Sequence, residues 1–262
     1  MRRMMNENER FDYVHDRFLK LSDHRYLHDH ITRVSIDEDK TYLLINSIKD
    51  DNLQEEEEVK RVTAGLLVDA ALTTHQYVPL HNENEQREKE KQLVVLAGDW
   101  YSSLYYSELS KLGDVGLVRV FSRSIQKTNN AKIRLHERGW KDLEELEELI
   151  TTMEATLIQN VGIYFDQRSI ADFAGHFLTY RRLLDLIEHA AKDEEPFGSA
   201  RLSPLFAIEP TDRNRDEYIQ EMISNLEVVA ANVKDRLLAS YQENEAELST
   251  QLKKRFMELV NK

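Results

Sequence analysis

The sequence contains no cysteine among its 262 residues. Disulfide bonds and thiolate metal sites are therefore excluded, and a reducing compartment is compatible with the composition. Glycine and proline are scarce, with 8 and 4 residues, where an average chain has about 7% glycine and 5% proline. Because both residues interrupt helices, their scarcity predicts long helices joined by short connections.

Long apolar runs and an excess of positive charge are also missing. No uninterrupted apolar segment reaches the roughly 18 residues that a membrane-spanning helix needs, and the polar N-terminus has no apolar signal core. We therefore expect a cytoplasmic protein without stable membrane insertion. The net charge of −13 repels phosphate backbones, so nucleic acid is not an expected partner.

Apolar positions recur at helical spacing along almost the whole chain, and no segment shows the alternation typical of strands. The pattern predicts an all-α fold, a single-domain bundle of about nine helices that covers residues 1–262. Within it, residues 1–10 are predicted to be a disordered tail and 194–211 a proline-containing loop. Residues 212–260 are predicted to form one long C-terminal helix with a continuous apolar face.

Local sequence signals suggest where individual helices begin and end. Asp114 is expected to cap a helix that runs to about Arg138. Ser35 and Ser169 are each followed three residues later by an acidic residue, as in a capping box. The segment from Phe11 to His30 is predicted to be one amphipathic helix.

One segment, Leu96–Tyr106, combines small residues, a lone carboxylate and four aromatic residues on a predicted helix. Gly98 lets a neighbouring backbone approach closely, and Trp100 flanks the aromatic face. That face is formed by three residues at helical spacing, Tyr101, Leu104 and Tyr105. It either packs in the core or lines an apolar groove, and core packing is the favoured interpretation.

Two features are candidates for metal binding. His24 and His28 are four residues apart, with His30 nearby, so one metal ion could bind two imidazoles. No carboxylate–histidine pair elsewhere has a matching spacing, which favours a surface histidine cluster. Asp99 stands alone and is expected to be a helix-terminal or buried hydrogen-bonding carboxylate rather than a ligand.

The order of features around this segment resembles a known family. A buried helix and a charged loop precede the run Val-Leu-Ala-Gly-Asp-aromatic, as in trans-type polyprenyl diphosphate synthases. The run Ala97-Gly98-Asp99-Trp100-Tyr101 is more similar to component I, the small component of the two-component heptaprenyl diphosphate synthases of Gram-positive bacteria. The resemblance covers most of the chain and implies the trans-isoprenoid synthase fold.

The resemblance also implies where catalytic residues would lie. Catalytic relatives hold magnesium ions on an allylic diphosphate with two aspartate-rich motifs, because hard oxygen ligands and Mg²⁺ neutralise the leaving group. The first motif corresponds to Thr73–Val78, which contains no carboxylate. The second corresponds to Tyr180–Asp185, where Arg181 and Arg182 occupy metal-ligand positions and only Asp185 remains. A basic motif for isopentenyl diphosphate has no match in the first fifty residues.

The resemblance therefore implies a non-catalytic, regulatory subunit with no catalytic residue, metal ligand or cofactor of its own. A catalytic component II would supply Mg²⁺ and the aspartate motifs, while this chain supports activity and product length in menaquinone side-chain synthesis. We expect the subunit interface on the helix at 114–138, through Ile125, Asn129 and Ile133. Two alternatives are a helical adaptor without an enzymatic partner and an independent synthase-like enzyme with an unusual metal site at Asp99 or Asp185.

Overall fold

The protein is described by a computed structural model that covers residues 5–30, 35–49, 53–77, 85–137, 139–191 and 215–261. Over these residues the chain forms ten α-helices, a short 3-10 helix at His75–Tyr77 and no strand, which confirms the predicted all-α fold. The α-helices in chain order are α1 (Glu7–Leu21), α2 (Arg25–His30), α3 (Glu38–Ser47), α4 (Glu55–Thr74), α5 (Glu85–Leu112), α6 (Val115–His136), α7 (Leu143–Tyr164), α8 (Arg168–Ala191), α9 (Arg215–Asn244) and α10 (Thr250–Val260). The predicted loop at 194–211 lies outside the described residues.

Consecutive helices are neighbours through most of the bundle. α4 packs against α5, α6 against α7, α7 against α8, and α8 against α9, while α1 and α3 pack on α4. One continuous apolar cluster contains side chains from α1 and from α3 through α10. None of the described helices is both long and apolar enough to span a membrane.

Helix α4 is buried along nearly its whole length because most of its residues are apolar or small. Gly65 lies directly against Leu44 of α3, and a β-carbon at position 65 would stand 3.1 Å from Leu44 Cδ1. Four glutamates occupy the first turn of α4, where negative charge stabilises the helix dipole. This helix is therefore the element around which α1, α3 and α5 assemble.

The predicted cap of α6 is confirmed, since the Asp114 carboxylate accepts a hydrogen bond from the Leu117 amide at 3.0 Å. The preceding Gly113 has a φ of 68°, a left-handed conformation that glycine adopts without steric cost. The proposed capping box at Ser35 is wrong. Asp37 caps α3 instead, accepting from the Lys40 amide at 3.0 Å.

The proposed capping box at Ser169 is also wrong, because α8 already begins at Arg168 and Ser169 lies inside its first turn. The chain reverses direction just before, at Asp166, which has a φ of 57°. Asp172 accepts a hydrogen bond from the Ser240 hydroxyl at 2.6 Å, so this carboxylate joins α8 to α9.

The N-terminal region is more ordered than expected. The predicted disordered tail at 1–10 is wrong from residue 5 onward, because Asn6 and Glu9 form a reciprocal capping box that starts α1 at Glu7. The single helix predicted for Phe11–His30 is two helices. The His24 imidazole accepts a hydrogen bond from the Leu27 amide at 3.3 Å and starts α2.

The predicted C-terminal helix at 212–260 is likewise two helices, α9 and α10, which are separated by residues 245–249. Ser249 caps α10 by accepting a hydrogen bond from the Leu252 amide at 3.2 Å. Apolar residues continue at helical spacing across the break, and Leu248, Leu252 and Phe256 are all buried. Periodicity alone therefore hides the interruption.

Candidate functional site

The aromatic face predicted on α5 lies against the bundle interior. Tyr101 is 4% exposed and stacks on Phe18 of α1 with ring centroids 6.5 Å apart. Tyr105 is half-buried and meets Phe121 of α6 edge-on at 6.0 Å, and burial raises the pKa of its phenol. Leu104 is half-buried and packs against the same core. These contacts join α5 to both α1 and α6.

The glycine, aspartate and tryptophan of the motif contact residues at the ends of neighbouring helices. Gly98 is buried against the imidazole of His75, and a β-carbon there would lie 2.5 Å from the ring. The close approach at Gly98 is thus made by a side chain and not by a backbone. Trp100 meets the His24 ring edge-on at 5.1 Å.

Asp99 differs from its expected role, because it is neither buried nor at a helix end. It lies in the middle of α5 with 67% of its side chain exposed. Its Oδ1 atom stands 3.7 Å from His75 Nε2. The side chains of His28 and His30 lie outside the described residues.

The region that the resemblance assigns to the first aspartate-rich motif, Thr73–Val78, lies at the end of α4 and in the 3-10 helix, with Val78 outside the described residues. Thr73 and Thr74 are buried, and the Thr74 hydroxyl donates to the Ala70 carbonyl at 2.7 Å. Among the described residues, no three histidine, aspartate or glutamate side chains are grouped closely enough to hold a metal ion.

The region that the resemblance assigns to the second motif, Tyr180–Asp185, contains part of an ion-pair network that was not predicted from the sequence. Arg181 of α8 donates from both terminal nitrogens to the Asp37 carboxylate, at 2.9 and 2.6 Å. It also donates to Asp39 at 2.5 Å. The guanidinium therefore holds two carboxylates at the start of α3, in the bidentate geometry that arginine favours.

The charges of this network shift one another's pKa values. Burial alone would raise the pKa of Asp37, but the charge and hydrogen bonds of Arg181, with the charge of Lys40, hold that pKa well below its usual range. Burial would lower the pKa of Arg181, whereas Asp37 and Asp39 raise it. Asp37 and Arg181 are therefore both ionised at neutral pH.

A second part of the network extends to α4 and α7. Lys40 lies 2.7 Å from Asp69 and 3.7 Å from Glu154, and Arg182 lies 3.5 Å from Glu154. Burial would lower the pKa of Lys40, but the charges of Asp69 and Glu154 raise it. Arg181 and Arg182 are thus both paired with carboxylates of this chain.

Helix α10 closes the network from the C-terminal side. Arg255 donates to Asp39 at 2.5 Å and to Glu38 at 2.9 Å. Asp185, the one carboxylate left in the motif, is exposed one turn beyond Arg181. The only indication of this network in the sequence is that charged residues lie next to apolar runs in α3 and α8. The sequence does not show which of these charged residues form ion pairs.

The residues proposed for a subunit interface lie on α6. Asn129 is exposed and Ile133 is 55% exposed, so both are available to a partner. Ile125 is half-buried and packs against the core. The buried side of α6 carries Phe121, Ser124 and Thr128, and it faces α7, where Asn160 donates to the Ser124 hydroxyl at 2.9 Å.

This helical arrangement is that of the trans-isoprenoid diphosphate synthases. The chain is similar to heptaprenyl diphosphate synthase from Staphylococcus aureus, with a TM-score of 0.69 and 14% identity over 97% of this chain and 98% of that one. It is similar to decaprenyl diphosphate synthase from Rhodobacter capsulatus, with a TM-score of 0.69 and 9% identity over 97% and 95% of the two chains. At these identities, the comparisons establish the fold.

Within that class, the chain belongs to the family of heptaprenyl diphosphate synthase (HEPPP synthase) subunit 1, whose family model matches residues 24–235. It is also 34% identical over 123 residues to heptaprenyl diphosphate synthase component 1 of Geobacillus stearothermophilus. That match covers 47% of this chain and 54%, about half, of the relative. The family expected from the motif on α5 is therefore confirmed.

Proposed function

We propose that this chain is the non-catalytic, regulatory subunit of a cytoplasmic, heteromeric heptaprenyl diphosphate synthase. The assembled enzyme adds isopentenyl diphosphate units head-to-tail to an allylic diphosphate such as farnesyl diphosphate, releasing diphosphate at each step. Its product is the precursor of the menaquinone side chain. The catalytic component II supplies the aspartate motifs and the Mg²⁺ ions, and this chain supports activity and product length.

The observation that carries this proposal is the pairing of Arg181 with Asp37 and Asp39. By resemblance, Arg181 stands at a magnesium-ligand position of the catalytic relatives. A guanidinium repels Mg²⁺, and moving it aside would leave Asp37 without its arginine partner and Asp39 with Arg255 alone, in a largely buried site. The internal ion pairs therefore favour a chain that does not hold magnesium diphosphate by itself.

The aromatic face of α5 has two candidate roles under this proposal. The ring contact between Tyr101 and Phe18 favours internal packing for Tyr101. Leu104 and Tyr105 are only half-buried, so they remain the candidates for an apolar groove. Each CH₂ of a growing prenyl chain that is removed from water contributes about 0.8 kcal/mol of free energy. An apolar wall next to the catalytic subunit would help to remove the chain from water.

The contact with component II is assigned to the outer face of α6. Asn129 and the 55%-exposed Ile133 lie on this face, and Ile125 lies at its edge. A partner that covers Ile133 would remove an exposed apolar side chain from water, which stabilises the complex.

Reconstitution tests the proposal. Purified chain, purified component II and their equimolar mixture are each supplied with Mg²⁺, farnesyl diphosphate and radiolabelled isopentenyl diphosphate, and products are separated by length. We expect no product from this chain alone and heptaprenyl diphosphate from the mixture. Chain elongation by the isolated chain, or a mixture no more active than component II alone, would contradict the proposal.

A further inference from the structure

Helix α6 has a charge that contrasts with the rest of the molecule. It contains five lysine and arginine residues and no acidic residue, in a chain of net charge −13. Two of the five have internal contacts, since Lys132 donates to the Leu72 carbonyl at 3.1 Å and Arg134 pairs with Glu145. The other three are spaced by four residues and form what we call the basic stripe: Arg119, Arg123 and Lys127.

The basic stripe is exposed along its whole length, and none of its three residues has an ion-pair partner within the described ranges. The neighbouring part of α7 explains this. The contact between Ser124 and Asn160 places residues 152–162 against the buried side of α6, and Glu154 is the one charged residue in that range. Glu154 instead lies against Lys40 and Arg182. No carboxylate of α7 therefore neutralises the stripe.

Apolar side chains lie at both ends of the same outer face. Val115 is 61% exposed and Ile133 is 55% exposed. They are five helical turns apart, a span of about 27 Å, with exposed Ser122, Gln126 and Asn129 between them. Apolar anchors combined with polar and basic side chains are typical of protein–protein interfaces, in which arginine is enriched.

We infer that the basic stripe docks onto an acidic face of the catalytic component of the synthase, an inference that rests on the proposed function. Charge complementarity selects this occupant. A second copy of this chain meeting it through α6 would place basic stripes against each other, and like charges across an interface are unfavourable. Binding to an anionic lipid membrane would gain only about 1 kcal/mol of free energy per basic residue. The net charge of −13 would repel the rest of the chain from such a membrane.

The test measures binding between the purified chain and purified component II by calorimetry at 50 and 300 mM NaCl. The stripe is changed in R119E/R123E/K127E and, more mildly, in R119Q/R123Q/K127Q. The matched control K20E/R168E/K254E makes the same change in net charge at exposed basic residues of α1, α8 and α10. Circular dichroism verifies that each variant retains its helix content.

We expect the Glu variant to weaken binding at 50 mM NaCl by about tenfold or more, and the Gln variant to weaken it less while reducing the salt dependence. The control should bind like the wild type. Equal binding by all variants would overturn the inference and leave the proposed function standing. No binding by the wild type would overturn both.

A membrane role makes a different prediction. Sedimentation with phosphatidylglycerol vesicles should leave the wild-type chain in the supernatant. If the chain sediments and the Glu variant does not, while both bind component II equally, the stripe binds lipid and the inference is wrong.

Discussion

The Arg181 guanidinium pairs with two carboxylates at once. Its removal would leave Asp37 without an arginine partner and Asp39 with Arg255 alone. The Asp39 side chain is 9% exposed and that of Asp37 is 27% exposed, so water only partly replaces the lost contacts. Residues that neutralise buried charge are needed for stability even where the complete ion pair adds little over an apolar alternative.

Replacing Arg181 with methionine should lower the free energy of unfolding by about 3 kcal/mol, since Asp37 loses its arginine partner and Asp39 keeps only Arg255, while the apolar volume is kept. Urea denaturation at pH 7, followed by circular dichroism, measures the change. Arg119→Met is the matched control, an exposed arginine whose loss should change stability by less than about 0.5 kcal/mol. Equal effects for the two variants would show that the Arg181 ion pairs do not stabilise the fold.

Acid sensitivity follows from the lowered pKa of Asp37, whose ordinary value is 3.8. A carboxyl group whose pKa is lower in the folded state contributes stability above its unfolded pKa and loses that stability as the pH falls toward the folded pKa. The wild type should therefore lose stability faster than Asp37→Asn below about pH 4. Asparagine keeps the cap of α3 but removes the charge.

The measurement is urea unfolding of both proteins between pH 7 and pH 2.5. Asp37→Asn should be the less stable protein at pH 7, and the difference should narrow on acidification. If the free energies of unfolding of the two proteins changed in parallel from pH 7 to pH 2.5, the result would contradict the lowered pKa of Asp37.

At the scale of helices, the junction between the end of α4 and the middle of α5 depends on Gly98. The His75 ring occupies the space where any other residue would place its β-carbon, at 2.5 Å. Glycine in a helix interior is less favourable than alanine by about 1 kcal/mol. Gly98 therefore lowers the stability of α5 itself but allows the contact with His75.

A double-mutant cycle tests this contact. In the His75→Ala background, Gly98→Ala should stabilise the protein by about 0.5–1 kcal/mol, because the obstructing ring is gone and alanine favours the helix. In the wild-type background, Gly98→Ala should stabilise the protein less or should destabilise it, since the His75 ring must then move away from Asp99. Thermal or urea unfolding of the four proteins gives the coupling free energy between positions 75 and 98. If Gly98→Ala changed the stability equally in both backgrounds, the result would contradict the close contact between Gly98 and His75.

At the scale of the whole molecule, helical periodicity and the scarcity of glycine and proline were enough to predict an all-α bundle. The cap at Asp114 was predictable because capping is local. The break before α10 was not, because apolar residues continue at helical spacing across it. Ser35 and Ser169 matched a capping pattern, but the folded chain uses Asp37 to cap α3 and starts α8 at Arg168.

The charge network marks the limit of sequence reasoning at the candidate site. The resemblance predicts that Arg181 stands at a metal-ligand position, but its partner Asp37 lies 144 positions away in the sequence, and no local pattern joins them. Asp99 was expected to be buried or helix-terminal because most lone carboxylates within apolar runs need a partner. It is exposed because that side of α5 faces solvent.

We propose that this chain does not hold magnesium diphosphate with its own side chains. The decisive measurement is a calorimetric titration of the isolated chain with farnesyl diphosphate, with and without Mg²⁺. We expect no magnesium-dependent binding. Magnesium-dependent binding that is lost in Asp99→Asn or Asp185→Asn would contradict it and support an independent synthase-like enzyme instead.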